Sequence, residues 1–129
     1  MSDMQHKKTV IVTGGSRGIG RAVCGEFACS GYDVIINYRS DHEGAEQTLG
    51  LVEKEGVAGR LACFDVRDAE TSLKVIEGLA EEYATIDALV NNAGVAEDAL
   101  FVMMPRHSWE NVIRTSLDGF YNTTKPVLE

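Results

Sequence analysis

The sequence predicts an α/β fold in three layers, one parallel sheet covered on both faces by helices. Three observations carry this. Short β-branched runs alternate with longer amphipathic stretches, the signature of βαβ units. The first run, Thr9–Thr13, is almost continuously apolar, as a strand covered on both faces must be. That run leads without a break into Thr13-Gly14-Gly15-Ser16-Arg17-Gly18-Ile19-Gly20, where a helical pattern opens.

The elements follow in order. The first helix begins near Arg17–Gly18, with Ile19, Val23 and Phe27 as its inner face and Gly31 just past its end. The second strand spans Asp33–Tyr38. Ser40-Asp41-His42-Glu43 reads as a capping box with Ser40 as N-cap; Ala45, Leu49 and Val52 form that helix's inner stripe, and Gly56 closes it. A third strand covers Arg60–Phe64, and Asp68 caps a third helix whose stripe is Ala69, Leu73, Ile76, Ala80 and Tyr83. The fourth strand is Ile86–Val90, and a loop or short helix extends to Met104. A last helix starts at Ser108 as N-cap, with Trp109, Ile113, Ser116 and Phe120 facing the core. The amphipathic pattern stops at Leu128-Glu129 without a capping signal, so the sequence is expected to be the front part of one incomplete domain.

Composition narrows the function. The chain has 129 residues, 44% of them hydrophobic, enough for one core. A net charge of −8 argues against nucleic acid as a partner. Cys24, Cys29 and Cys63 match no C-x-x-C pattern and read as buried free thiols in a reducing compartment. The scattered His6, His42 and His107 offer no metal cluster. No apolar run approaches the roughly 18 residues of a membrane span, and a cytoplasmic location is expected.

The glycine-rich string carries the chemistry. A tight strand-to-helix turn without Cβ atoms lets backbone N–H groups approach a pyrophosphate, and the helix N-terminus adds orphan donors and partial positive charge. Gly14, Ser16, Arg17, Gly18, Ile19 and Gly20 are therefore the candidate dinucleotide loop. NAD-selective domains place a carboxylate at the end of the second strand to bind the ribose hydroxyls. Here that place holds Asn37-Tyr38-Arg39-Ser40, with no acid. The Arg39 guanidinium, joined by Arg17, suits a 2′-phosphate, and the expected cofactor is NADP(H), with Tyr38 beside it.

The T-G-x-x-x-G-x-G spacing of Thr13 to Gly20, Asp65-Val66 after the third strand and Asn91-Asn92-Ala93-Gly94 after the fourth resemble the short-chain dehydrogenase/reductase family. The extended, sugar-epimerase-like branch has G-x-x-G-x-x-G instead. The resemblance implies a Rossmann-type sheet of order 3-2-1-4 here, with later strands missing and the fourth strand an apolar edge. It implies that Asp65 holds the adenine amino group, that a backbone group at Val66 reads the ring, and that Asn91 stabilises the sheet centre. Ala93 and Gly94 would let the backbone approach the cofactor. Within the family, Ile35–Ser40 and the W-x-x-V-I stretch from Trp109 are most similar to 3-oxoacyl-acyl-carrier-protein and acetoacetyl-CoA reductases. That implies a small or carrier-protein-bound acyl substrate, a homo-oligomeric parent (dimer or tetramer) and reduction by NADPH.

The family's reaction uses Ser, Tyr and Lys, the last two as Y-x-x-x-K, with an Asn on the preceding helix. Ser108, Tyr121 and Lys125 match that spacing. On a uniform helix, however, Tyr121 and Lys125 point about 140° and 180° from Ser116, on a polar stripe with Glu110, Arg114 and Asp118. The match also arrives too early after Asn91–Gly94, so it is set aside, and the 129 residues alone are expected to be marginally stable, to bind NADP(H) poorly and to reduce nothing. Ser116 aligns with the family's Asn in Thr115-Ser116-Leu117-Asp118-Gly119-Phe120. Its hydroxyl either bonds the carbonyl four residues back or holds a relay water in the Asn's place. The readings that compete with an enzyme are a non-catalytic NADP(H) sensor and an interaction protein using its acidic surface.

Overall fold

The structure is a computed structural model and describes residues 7–83, 85–93 and 106–128. In chain order the elements are β1 (Thr9–Val12), α1 (Gly18–Cys29), β2 (Asp33–Tyr38), α2 (His42–Glu53), β3 (Gly59–Cys63), α3 (Ala69–Glu82), β4 (Ala88–Val90), α4 (Arg106–Ile113) and α5 (Gly119–Leu128). A π-helical turn, Arg114–Asp118, joins α4 to α5. The expected loop through Met104 and Gly94 lie outside the described residues.

The four strands form one parallel sheet of order β3-β2-β1-β4. Successive strand residues point to opposite faces, and the core divides accordingly. Val10, Val12, Val34 and Ile36 pack with Cys24 and Ala28 of α1 and Val52 of α2. Ile11 and Ile35 face the other way, toward Ile76 and Leu79 of α3, with Val127 of α5 against the same cluster. Strands buried on both faces explain the unbroken apolar runs.

Several helix faces differ from the expectation. In α1 the buried residues are Gly20, Cys24 and Ala28, while Val23 and Phe27 only flank them and Ile19 is 75% exposed. Small residues at every fourth position let α1 lie close to the sheet, which turns Ile19 outward. The N-cap of α2 is Asp41 and not Ser40: the Asp41 carboxylate accepts from the Gly44 amide at 3.0 Å. Asp68 caps α3 as expected, accepting from the Thr71 amide at 3.1 Å. The buried stripe of α3 is nevertheless Ser72, Ile76 and Leu79, with Ala69, Leu73 and Ala80 exposed. Ser72 is tolerated inside because its hydroxyl donates to the Asp65 carbonyl at 3.4 Å.

The last helix departs most. It begins at Arg106, so Ser108 is buried within its first turn and does not cap it. The π-helical turn widens the repeat and shifts the face that follows. Thr115, Gly119 and Thr123 are buried, whereas Ser116 is exposed and Phe120 is half exposed. A uniform advance of about 100° per residue does not survive this turn.

Cys24 is buried, but Cys29 and Cys63 are exposed, against the expectation of three buried thiols. Burial pushes the Cys24 thiol up to about 12, and a hydrogen bond to Glu55 raises that of Cys29. A thiol reagent at pH 8 is therefore expected to label Cys29 and Cys63 in the folded chain and all three in denaturant. Fast labelling of Cys24 without unfolding would contradict this packing.

Candidate functional site

The segment between β1 and α1 is organised by where its backbone groups point. The carbonyls of three consecutive residues are each taken by a side chain from outside the turn. Gly14 O accepts from Asn92 Nδ2 at 3.0 Å, Gly15 O from Thr48 Oγ1 at 2.8 Å and Ser16 O from Arg21 Nη2 at 2.7 Å. The Gly14 and Gly15 amides are fixed to Asn37, through its side-chain oxygen at 3.2 Å and its carbonyl at 2.9 Å. Thr13 Oγ1 accepts from the amides of Asn92 and Ala93, both at 3.0 Å, and donates to Val90 O at 3.3 Å. The first-turn amides of α1 have no intrahelical acceptor and carry the positive end of the helix dipole.

Glycine is required here by contact. A Cβ on Gly20 would lie 2.0 Å from Gly14 O, so the helix start and the loop touch backbone to backbone. Gly14 itself turns the chain at φ +67°, where glycine alone is unstrained.

A cavity of about 330 Å³ opens at the carboxyl end of the sheet. It brings together Gly14, Ser16, Arg17, Tyr38, Arg39, Asp65, Val66 and Ala93. Gly18, Ile19 and Gly20 lie beside it in the first turn of α1. Asn91 and Ser116 instead border a second cavity of about 240 Å³, which adjoins the first at Thr115. The buried Thr115 hydroxyl has no partner among the described residues. Asn91 faces α5, donating to Thr124 Oγ1 at 3.0 Å and accepting from Thr123 Oγ1 at 2.8 Å. It is Asn92 that ties the loop to the sheet.

The cavity's electrostatics centre on Asp65. Arg67 holds its carboxylate with both Nε and Nη2, the latter at 2.8 Å, while Arg39 Nε stands 3.7 Å away. Hydrogen bonds from Arg67 hold the Asp65 carboxyl below the usual carboxylate range. Arg67 also reaches Asn111 of α4. The Val66 carbonyl accepts from Asn122 Nδ2 at 2.9 Å. The Arg39 side chain is 58% exposed, and Tyr38 OH shares a 2.5 Å hydrogen bond with His42 Nδ1. Ser108, Tyr121 and Lys125 line neither cavity: Lys125 Nζ donates to Tyr121 OH at 3.3 Å on the exposed face of α5. Among the described residues no cluster of three or more His, Cys, Asp and Glu could hold a metal ion.

The short chain dehydrogenase family model matches residues 8–129. The chain belongs to this family. Among curated proteins it is similar to the 3-oxoacyl-[acyl-carrier-protein] reductase FabG of Staphylococcus aureus, at 36% identity over 92% of this chain and 48% of that one. The Chlamydia trachomatis FabG is 38% identical over 99% of this chain and 52% of its own. A solved Sinorhizobium meliloti structure assigned to the short-chain alcohol dehydrogenases superposes with a TM-score of 0.87 and 31% identity, over 95% of this chain and 48% of that one. The chain thus spans about half the length of these relatives.

Five residues that shape the site were not singled out from the sequence: Arg21, Asn37, Thr48, Arg67 and Asn92. Asn37 left a readable signal. It is a polar side chain inside an apolar strand, and a buried amide needs partners. Those are the carbonyls of Ala62 at 3.2 Å and Phe64 at 3.0 Å, besides the Gly14 amide. Asn92 stands inside the Asn91–Gly94 motif without a role of its own there, and Arg21, Thr48 and Arg67 are ordinary polar residues by pattern that acquire their roles only when α1, α2 and the strand ends meet.

The Asp65–Arg67 pair gives a pH signature. A carboxyl with a lowered folded pKa contributes its stability above the ordinary Asp value of about 3.9, and that contribution is lost as pH falls through the lowered value. Arg67→Ala is expected to return Asp65 toward the ordinary range in an NMR titration of its carboxyl carbon, and to bring acid unfolding to a higher pH. An unmoved Asp65 titration would contradict the pairing.

Proposed function

We propose that this chain is the cofactor-binding part of an oxidoreductase, and that it binds NADP(H). The carrying observation is the ordered loop: three carbonyls tied away from the cavity, an open first turn of α1, and no room for a Cβ at Gly20. Such a loop presents donors to an anion and removes the acceptors that would repel it. In this reading the amides from Ser16 to Gly20 hold the diphosphate, and Arg17 and Arg39 hold the 2′-phosphate. Asp65 and the Val66 backbone meet the adenine. Ala93, with Gly94 outside the described residues, gives the cofactor close passage, while Asn91 anchors α5. Both arginines and Asp65 line the same cavity. The lack of a carboxylate at the end of β2 favours NADP(H) over NAD(H).

When bound, a nicotinamide dinucleotide supplies a hydride. The names of the relatives suggest that the substrate of the whole protein is a carrier-bound 3-oxoacyl thioester; in this proposal a cytoplasmic homo-oligomer reduces it, or a small acyl thioester like it, to the 3-hydroxy compound. No described helix is long and apolar enough to cross a membrane. Ser116 is proposed at the position of the family's Asn. Ser116 borders the second cavity beside Thr115, which favours the relay-water role over a bond to the carbonyl four residues earlier. A second reading, binding without catalysis, is favoured for these 129 residues by Tyr121 and Lys125, which point away from both cavities.

NADPH fluorescence titration of the purified chain tests this. Binding is expected to be weak but stronger than for NADH. Arg39→Asp should lower NADPH affinity by about tenfold or more, the scale of one charge-assisted bond, and shift preference toward NADH. Equal affinity for both cofactors before and after the substitution would refute the assignment. No NADPH oxidation is expected from the 129-residue chain with a 3-oxoacyl thioester; measured turnover would overturn the binding-only reading.

A further inference from the structure

We infer that Arg21 and Thr48 are positioning residues for the diphosphate, so that α2 is a working part of the phosphate grip. This rests on the NADP(H) reading above. A loop that binds an anion through its amides must turn its carbonyls elsewhere, and buried carbonyls need donors. The sheet supplies none for Gly15 and Ser16; the side chains of Thr48 on α2 and Arg21 on α1 do. Thr48, fully buried on α2, donates its hydroxyl to Gly15 O at 2.8 Å and stands 3.2 Å from Gly44 O. Arg21 gives Nη2 to Ser16 O at 2.7 Å and to Gly44 O at 3.2 Å, and Nε to Thr48 Oγ1 at 3.1 Å. Gln47 Oε1 lies 3.2 Å from the same Nη2. A Cβ at Gly44 would come within 2.6 Å of Ser16 O, so α2 presses directly on the loop.

The placement is otherwise unfavourable. Arg21 sits in the first turn of α1, where a cation opposes the helix dipole. The planar fork compensates by spreading its donors over acceptors on two sides, a reach that the compact ammonium of a lysine does not match. Its charge also adds to the field that favours an anion at the helix start.

The test separates the diphosphate from the rest of the ligand. The 129-residue chain and its Arg21→Met and Thr48→Val variants are titrated by NMR with NADP⁺, which carries the diphosphate, and with adenosine 2′-monophosphate, which does not. Each variant is expected to weaken NADP⁺ binding by about tenfold while changing adenosine 2′-monophosphate binding less than about twofold. Arg21→Lys should recover only part of the loss. Equal weakening of both ligands, or no weakening of either, would overturn the inference. Should Arg21→Met fail to fold, Thr48→Val, close in shape to the original, decides by the same split. A parent chain that binds neither ligand would sink the NADP(H) reading, and this inference with it.

Discussion

The structure turns on one separation: in the strand-to-helix turn after β1, the carbonyls of Gly14, Gly15 and Ser16 are tied to groups inside the protein, as are the Gly14 and Gly15 amides, while the amides at the start of α1 keep no intrahelical acceptor. A peptide unit carries both a donor and an acceptor, so an anion site made of backbone must dispose of its acceptors. Asn92, Thr48 and Arg21 do this for Gly14, Gly15 and Ser16. Each comes from a different element, so the loop's conformation exists only once β4, α2 and α1 are assembled around β1.

The sheet makes that assembly possible. Its order places β1 between β2 and β4, so the turn after β1 is flanked by the ends of both neighbours. Asn37 links the turn to β2 and to the end of β3, and Thr13 links it to the exit of β4. Small residues on the inner face of α1 bring the helix start close enough for backbone contact at Gly20. Arg39, Asp65 and Arg67 then gather at the exits of β2 and β3, where an acidic chain presents local positive charge.

Much of this was legible beforehand because it depends on local period and composition. The apolar strand runs, the Asp68 cap and the glycine-rich turn each follow from a few adjacent residues. The buried faces of α1 and α3 depart from the apolar pattern because Ile19 and Leu73, core residues by period, face outward, whereas close packing selects Gly20, Cys24 and Ser72. The face of the last helix departs from its pattern because a π-helical turn leaves no mark on a 3.6-residue period. Arg67 and Arg21 were illegible in another sense: a salt bridge across one residue of a turn, or a guanidinium spanning two helices, is fixed only by tertiary geometry. The family shows the fold and its Gly-rich turn, while the side chains that set the turn's polarity emerge from contacts.

The most direct measurement is a ¹H–¹⁵N correlation spectrum of the chain as NADPH is added. The amides from Ser16 to Gly20 should show the largest shifts, with the Asn37 and Asn92 side-chain amides holding their positions. Binding that moves amides elsewhere and leaves that segment still would contradict the account.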